Sequence, residues 1–180
     1  MLLETERLCL RPWQDSDREP FAAMNADVRV RKFFPSLLSR EESDASIQFF
    51  REMYTRDGFC FLAAEIRQTH AFVGLIGIQT MNFSVPTVSA PAVEIGWRLT
   101  PEVWNQGLAT EGARAVLRFA LEKLLLPEVV AFTVPANLPS RRIMEKLGMS
   151  HDPQDNFDHP NLPAGHPLRR HVLYRFHPTI

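Results

Sequence analysis

Hydrophobic and polar positions change period several times along the chain. Leu8, Leu10 and Pro12 alternate with Arg7, Cys9 and Arg11, which predicts a first strand. Asp15 is placed to cap a helix running through Phe21 and Met24. A second short helix is expected at 28–34, stopped by Pro35. Ser39-Arg40-Glu41-Glu42 has capping-box spacing, and Ile47, Phe50, Met53 and Tyr54 then share one helical face that ends near Gly58. Residues 59–66 and 72–80 are apolar, β-branched and aromatic runs split by a polar turn, the pattern of a hairpin. A loop with two prolines fills 82–91, and 92–99 reads as another strand. Residues 107–125 form a long amphipathic pattern with Ala113, Val116, Leu117, Ala120, Leu121 and Leu124 on its inner side. A continuously apolar strand of the kind buried on both faces follows at 128–134. Residues 137–147 predict a helix closed by Gly148, 152–167 a proline-rich acidic loop, and 170–176 a last alternating strand.

The order strand, helices, three strands, helix, strand, helix, strand implies an α/β (α+β) fold, a mixed sheet with helices on both faces. At 180 residues the chain fits one domain, 1–180, able to fold without disulfide or metal. Lys and Arg number 20 against 21 Asp and Glu, for a net charge of -1. That removes the basic excess of a nucleic-acid binder but leaves room for a local anion site. Cys9 and Cys60 each lie in an apolar stretch and form no Cys-x-x-Cys pair. Two buried thiols in a reducing compartment are expected, not a disulfide framework or a zinc site. The acidic start Met1-Leu2-Leu3-Glu4-Thr5-Glu6 is unlike a signal peptide, and no apolar run reaches the ~18 residues of a membrane helix. No membrane partner and a cytoplasmic setting are expected.

The most informative stretch runs from Glu94-Ile95-Gly96-Trp97-Arg98-Leu99 to Trp104-Asn105-Gln106-Gly107-Leu108-Ala109-Thr110-Glu111. A strand enters a loop, and the loop enters a helix N-terminus at small residues. Such a terminus has orphan N–H groups and the positive end of a helix dipole. Gly107 and Ala109 let a ligand approach the backbone, a construction suited to a pyrophosphate. It lacks the Gly-Lys-Ser/Thr of a nucleotide P-loop and the spacing of a dinucleotide fingerprint. An ordinary strand-to-helix turn is the alternative. Glu94 is an isolated carboxylate among Val93, Ile95, Trp97 and Leu99, a costly placement unless the group is paired or used. A general base and an ion pair with Arg98 or a distant arginine are the two readings.

The segment 94–111 resembles the acetyl-CoA-binding core of the GNAT superfamily of N-acetyltransferases. The family loop reads Arg/Gln-x-x-Gly-x-Gly/Ala, and here it is Trp104-Asn105-Gln106-Gly107-Leu108-Ala109. Trp104 and the following Ala-Thr-Glu resemble the RimJ/RimL branch, which acetylates protein N-termini. Glu4-Thr5-Glu6-Arg7-Leu8 and the segment from Asn137 through Ser140, Arg142 and Met144-Glu145-Lys146-Leu147-Gly148 resemble the opening strand and the CoA-side helix of that branch. The resemblance implies a mostly antiparallel sheet in which the family's fourth and fifth strands form a splayed parallel pair. It implies acetyl-CoA as cosubstrate and an amine acceptor, either a protein N-terminus or a small amine. The backbone of Trp97, Arg98 and Leu99 would meet the thioester carbonyl, and the amides of Gln106, Gly107, Leu108, Ala109 and Thr110 the pyrophosphate. Asn137 would hydrogen-bond the pantetheine arm and Ser140 would donate a proton to the leaving sulfur, with a water, direct thiolate departure and a plain helix-surface serine as the alternatives. Glu94 would take the amine proton, directly or through water. The tyrosine that many members use as acid is replaced by Met144, which cannot donate a proton. A non-catalytic acyl-CoA-binding module is therefore the rival reading, and pairing with a second copy is left open.

His151, His159, His166 and His171 crowd the tail with Asp152, Asp155 and Asp158. No His-x-x-x-His pair or cysteine partner accompanies them, so a metal site is not expected. A structural loop over the sheet edge is the favoured reading, and a proline-stiffened acidic loop beside the amine site is the alternative. A loop with Asp155 and Asp158 would attract a cationic amine, and His159 or His171 would assist proton transfer.

Overall fold

The computed structural model describes residues 2–177. Two short strands, β1 (Leu3–Glu4) and β2 (Leu8–Arg11), lead to helices α1 (Arg18–Asn25) and α2 (Arg40–Asp57). Strands β3 (Phe61–Ile66), β4 (Phe72–Thr80) and β5 (Val93–Leu99) follow. Next come helix α3 (Leu108–Glu122), strand β6 (Val129–Thr133) and helix α4 (Leu138–Lys146). The last strands are β7 (Ser150–His151), β8 (Phe157–Asp158) and β9 (Arg170–Phe176). The sheet order is β1-β2-β3-β4-β5-β6-β9-β7, with β8 on β9. Neighbours are antiparallel except β5 and β6, which run parallel and share one register pair, Glu94 with Val130. This is the mixed, mostly antiparallel sheet with a splayed parallel pair that the resemblance implies.

Local signals explain most of the elements. Ser39 Oγ accepts the Glu42 N–H at 3.2 Å, and the Glu42 carboxylate accepts the Ser39 N–H at 2.7 Å. This reciprocal cap contributes about 1 kcal/mol to starting α2. Gly58 ends the helix at φ +78°, a left-handed position open to glycine. Ile47, Phe50 and Met53 are buried, so the predicted face is the one that packs. Helix α3 lies close on the sheet because Gly112 has no side chain; a Cβ there would fall 2.5 Å from Ile76 Cδ1. Helices α3 and α4 cover one face, and α1 and α2 cover part of the other. Arg11 ties β2, β3 and the approach to α1 together. Its Nε donates to Glu65 at 2.6 Å and its two terminal nitrogens donate to Asp17 at 2.8 Å each.

Three expectations need correction. No helix forms at 28–34; the segment is a run of turns, with Asp27 Oδ1 taking the Arg29 N–H at 2.7 Å. That side-chain turn competes with helix nucleation, and Pro35 prevents extension. Asp15 does not cap α1; it lies in a short 3-10 turn and pairs with Arg18 and Arg51. Cys60 is buried, but Cys9 is only half-buried because it borders the charged cluster around Glu65.

Candidate active site

Antiparallel pairing sets Gln79 of β4 opposite Glu94 of β5. Gln79 Nε2 donates to Glu94 Oε1 at 2.6 Å. The ion pair considered for Glu94 does not form among the described residues. Burial therefore pushes its carboxyl up to about 7, opposed by the Gln79 hydrogen bond. Strand alternation puts Gly96 and Arg98 on the same face as Glu94. Phe61 lies over Gly96, where a Cβ would come 3.0 Å from the ring. Trp97 packs against the main core and Leu99 is buried in it, both on the opposite face. Beyond Glu94 the edge of β5 that faces β6 has no further register partner, so backbone at Trp97–Leu99 borders an open seam.

The loop after β5 is shaped by two left-handed residues, Asn105 at φ +60° and Gly107 at φ +81°. The first bond of α3 is the Glu111 N–H to the Gly107 carbonyl, at 3.0 Å. The N–H groups of Gln106, Gly107, Leu108, Ala109 and Thr110 donate to no group among the described residues. Gly107 and Thr110 line a cleft of about 690 Å³ together with Arg7, Arg114, Arg118 and Lys146 and the acids Glu6 and Glu111. Trp104 Nε1 donates to the Leu99 carbonyl at 2.8 Å and pins the loop to the strand end. Glu111 ties the loop to the N-terminal segment. Its carboxylate accepts from Thr5 Oγ1 and from the Arg7 backbone and side chain, and Arg7 Nη1 donates to the Gln106 carbonyl at 2.9 Å.

Asn137 is the N-cap of α4. Its Nδ2 donates to Thr133 Oγ1 at 2.9 Å and Ser140 Oγ at 3.2 Å, and its Oδ1 accepts the Ser140 N–H at 3.4 Å. The two residues thus form one polar cluster at the end of β6. Met144 is buried in the core, and Tyr174 O–H donates to Glu145 while accepting from Arg141.

A second apolar cluster, containing Val85, Val130, Phe157 and Leu173, occupies the Glu94 face beyond β6. His159 and His171 lie in it, 5.1 Å apart between ring centroids and packed against Phe83, Phe132 and Phe157. Burial lowers both histidines, and His171 further lowers His159. The tail acids are not free to attract an amine. Asp155 pairs with Arg175 at 2.7 Å, and Asp158 pairs with Arg169 and Arg170 at 3.4 Å each. No group of three or more metal-ligating side chains occurs among the described residues.

The family description "Acetyltransferase (GNAT) domain" matches residues 7–150. This chain belongs to the GNAT acetyltransferases. The curated relative YnaD of Bacillus subtilis, an uncharacterised N-acetyltransferase, is 28% identical over 149 residues, 83% of this chain and 82% of its own. An acetyltransferase structure from Agrobacterium tumefaciens matches with TM-score 0.79 and 26% identity, covering 99% of this chain and 95% of that one. The structure of RimL, a ribosomal L7/L12 α-N-protein acetyltransferase in complex with coenzyme A, has the same fold at TM-score 0.77 and 13% identity, covering 98% of each chain.

As a GNAT enzyme this protein uses acetyl-CoA as acetyl donor. The five unpaired amides at the start of α3 and the seam between β5 and β6 fit a long thioester with a pyrophosphate in its arm. Sequence reasoning missed Gln79 as the partner of Glu94, the Glu111 clamp on the N-terminal segment, and the basic lining at Arg114 and Lys146. The helical spacing of Gly107, Glu111, Arg114 and Arg118 was the available signal for that lining.

Proposed function

We propose that this acetyltransferase moves the acetyl group directly from the CoA thioester to a primary amine, with Glu94 as general base. The observation that carries the reading is a carboxylate without a cationic partner, raised to about 7, on the strand that borders the open seam. At neutral pH an alkylammonium group must lose a proton before it attacks. Glu94 accepts that proton, directly or through one water. The amine nitrogen then bonds to the carbonyl carbon, the carbon–sulfur bond breaks with its electron pair on sulfur, and the second proton of the nitrogen passes to Ser140 Oγ as Ser140 gives its own proton to the thiolate.

In this reading the backbone of Trp97, Arg98 and Leu99 supplies donors to the thioester carbonyl oxygen. The amides of Gln106 through Thr110 hold the pyrophosphate. Asn137 serves the pantetheine arm, and Ser140, its hydrogen-bond partner, protonates the departing sulfur. The whole chain, 1–180, acts as one N-acetyltransferase domain. The acceptor is a protein N-terminus, as the name of the RimL neighbour suggests, or a small amine. A reducing, cytoplasmic setting suits the two free thiols, and no described helix is long and apolar enough to cross a membrane. Thiol release from acetyl-CoA with a panel of amines and N-terminal peptides tests the reading. Acceptor-dependent release is expected; CoA binding with no release for any acceptor would establish the non-catalytic acyl-CoA-binding module instead.

A further inference from the structure

Arg98 lies four residues beyond Glu94 on the same face of β5, about 13 Å away at the rise of an extended strand. Its guanidinium carbon is 5.7 Å from the Phe21 ring centroid and 5.1 Å from that of Phe34. Arg31 approaches from the turn segment after α1 and places its own guanidinium carbon 4.3 Å from the same Phe34 ring. Two cations thus share one aromatic ring. Arg98 Nε and Nη1 are buried and have no hydrogen-bond partner among the described residues. Arg31 Nε donates to the Ser36 carbonyl at 2.8 Å, and neither arginine has a described carboxylate within ion-pair distance. The acid that Arg31 feels, Glu42, is engaged with the Ser39 N–H.

The other inward arginines are treated differently. Arg11 has Asp17 and Glu65, and Arg175 has Glu128 and Asp155. Against that pattern Arg98 and Arg31 form a local excess of positive charge. Burial and the repulsion of Arg31 pull Arg98 down to about 9, and burial also lowers Arg31. Desolvating two guanidiniums side by side is costly unless an anion completes the set. The unfilled planar forks match a carboxylate. Between this pair and Glu94 the Phe61 ring paves the floor over Gly96, an apolar surface for the carbon chain of a substrate.

We propose that Arg98 and Arg31 receive a carboxylate of the acetyl acceptor, so that the amine acetylated at Glu94 belongs to an amino acid or peptide that carries an acid. This rests on the acetyl-transfer reading for the amine end, while the anion site stands on its own geometry. A peptide with an acidic residue near its N-terminus and a free amino acid present the same chemistry, and the two are separable by length.

The test compares acids with their amides. Acceptors are glycine, dipeptides and tripeptides as free acids and C-terminal amides, and longer amidated peptides with Glu or Gln at the second or third position. Turnover is read by thiol release. Independently of turnover, calorimetry measures binding of the N-acetylated dipeptide acid and its amide to the CoA-loaded protein. The acid is expected to exceed its amide by at least about tenfold in kcat/KM, mostly through KM. Arg31→Met is expected to bring that ratio near one, with CoA affinity retained as the check on folding; Arg98→Met is expected to lower the ratio likewise, its folding checked by the circular dichroism spectrum and urea unfolding. Arg98→Lys is expected to keep part of the preference. Equal handling of acid and amide by the unmodified protein, or a preference that survives both Met substitutions, overturns the proposal. Acid-selective product binding that the substitutions abolish, with no acceptor ever acetylated, upholds the anion site and overturns acetyl transfer instead.

Discussion

Gln79 Nε2 lies 2.6 Å from Glu94 Oε1, a contact between neighbouring strands that sets the basicity of the carboxylate. Gln79 Oε1 is buried without a donor, so the amide is oriented through Glu94 alone. The bond favours the charged carboxylate, while burial favours the neutral acid. The balance lands near the pH at which a base is most useful.

The rate should therefore rise with pH through about 7 and then level off as Glu94 ionises. Glu94→Gln should lower kcat about 100-fold or more and remove that ionisation from the profile. Gln79→Leu removes the bond that holds the carboxylate down, so the rising limb should move to higher pH. Profiles of kcat/KM for the three proteins check this; an unshifted limb in Gln79→Leu would break the link between the two residues.

Stability carries the same titration with a defined sign. Folding raises the Glu94 carboxyl from 4.5 to about 7, so the folded chain holds a proton that the unfolded chain has lost between those values. Stability from this group therefore falls as pH rises through that window. Gln does not titrate. Glu94→Gln should gain stability relative to wild type from about pH 4.5 upward and level off above about pH 7. Urea unfolding at pH 5 and pH 8 reads the difference, and equal values at both would contradict the buried placement.

Gly107 holds φ +81°, and a Cβ there would meet little besides Arg7 Nη2 at 3.6 Å. The cost of a side chain is thus conformational and not a clash. Gly107→Val should cost about 1–3 kcal/mol of stability and displace the unpaired amides of the loop. CoA affinity should fall about tenfold or more while the circular dichroism spectrum is kept. Unchanged affinity would remove the loop from the phosphate site.

Asp17 is 1% exposed and Glu65 is 8% exposed; Arg11 pairs with both, and His70 Nδ1 also reaches Glu65 at 3.1 Å. Arg11→Met would strand two buried carboxylates and should cost about 3–5 kcal/mol in urea unfolding. A cost below about 1 kcal/mol would mean that water reaches the cluster.

Periodicity and capping made much of this fold legible. The long apolar runs of β3, β4 and β6 and the capping box at Ser39 act over a few residues, and the structure uses them as they stand. The turn into α3 was legible because Gly107 stands where the backbone takes a positive φ. What stayed hidden depends on distant pairs. Thr5 and Arg7 meet Glu111 across more than 100 residues, and Gln79 meets Glu94 through a hairpin register that no motif announces. Arg31 and Arg98 look like ordinary surface cations in the sequence; only the packing around Phe34 shows them without acids. The 28–34 segment failed because Asp27 and Pro35 act locally against a pattern with apolar residues at helical spacing. The tail acids failed because Arg169, Arg170 and Arg175, close in sequence, already neutralise them.

The lone Glu94–Val130 rung divides the sheet into two plates, β1–β5 and β6–β9, each encoded by an uninterrupted stretch of chain. The backbone crosses from one plate to the other once, through α3. A donor lying in the gap would serve as a removable strand, closing in trans a ladder that the polypeptide leaves unzipped. Amide exchange at those of Trp97–Leu99 whose N–H faces the gap should then slow when the donor binds, a direct gauge of whether the two plates are joined.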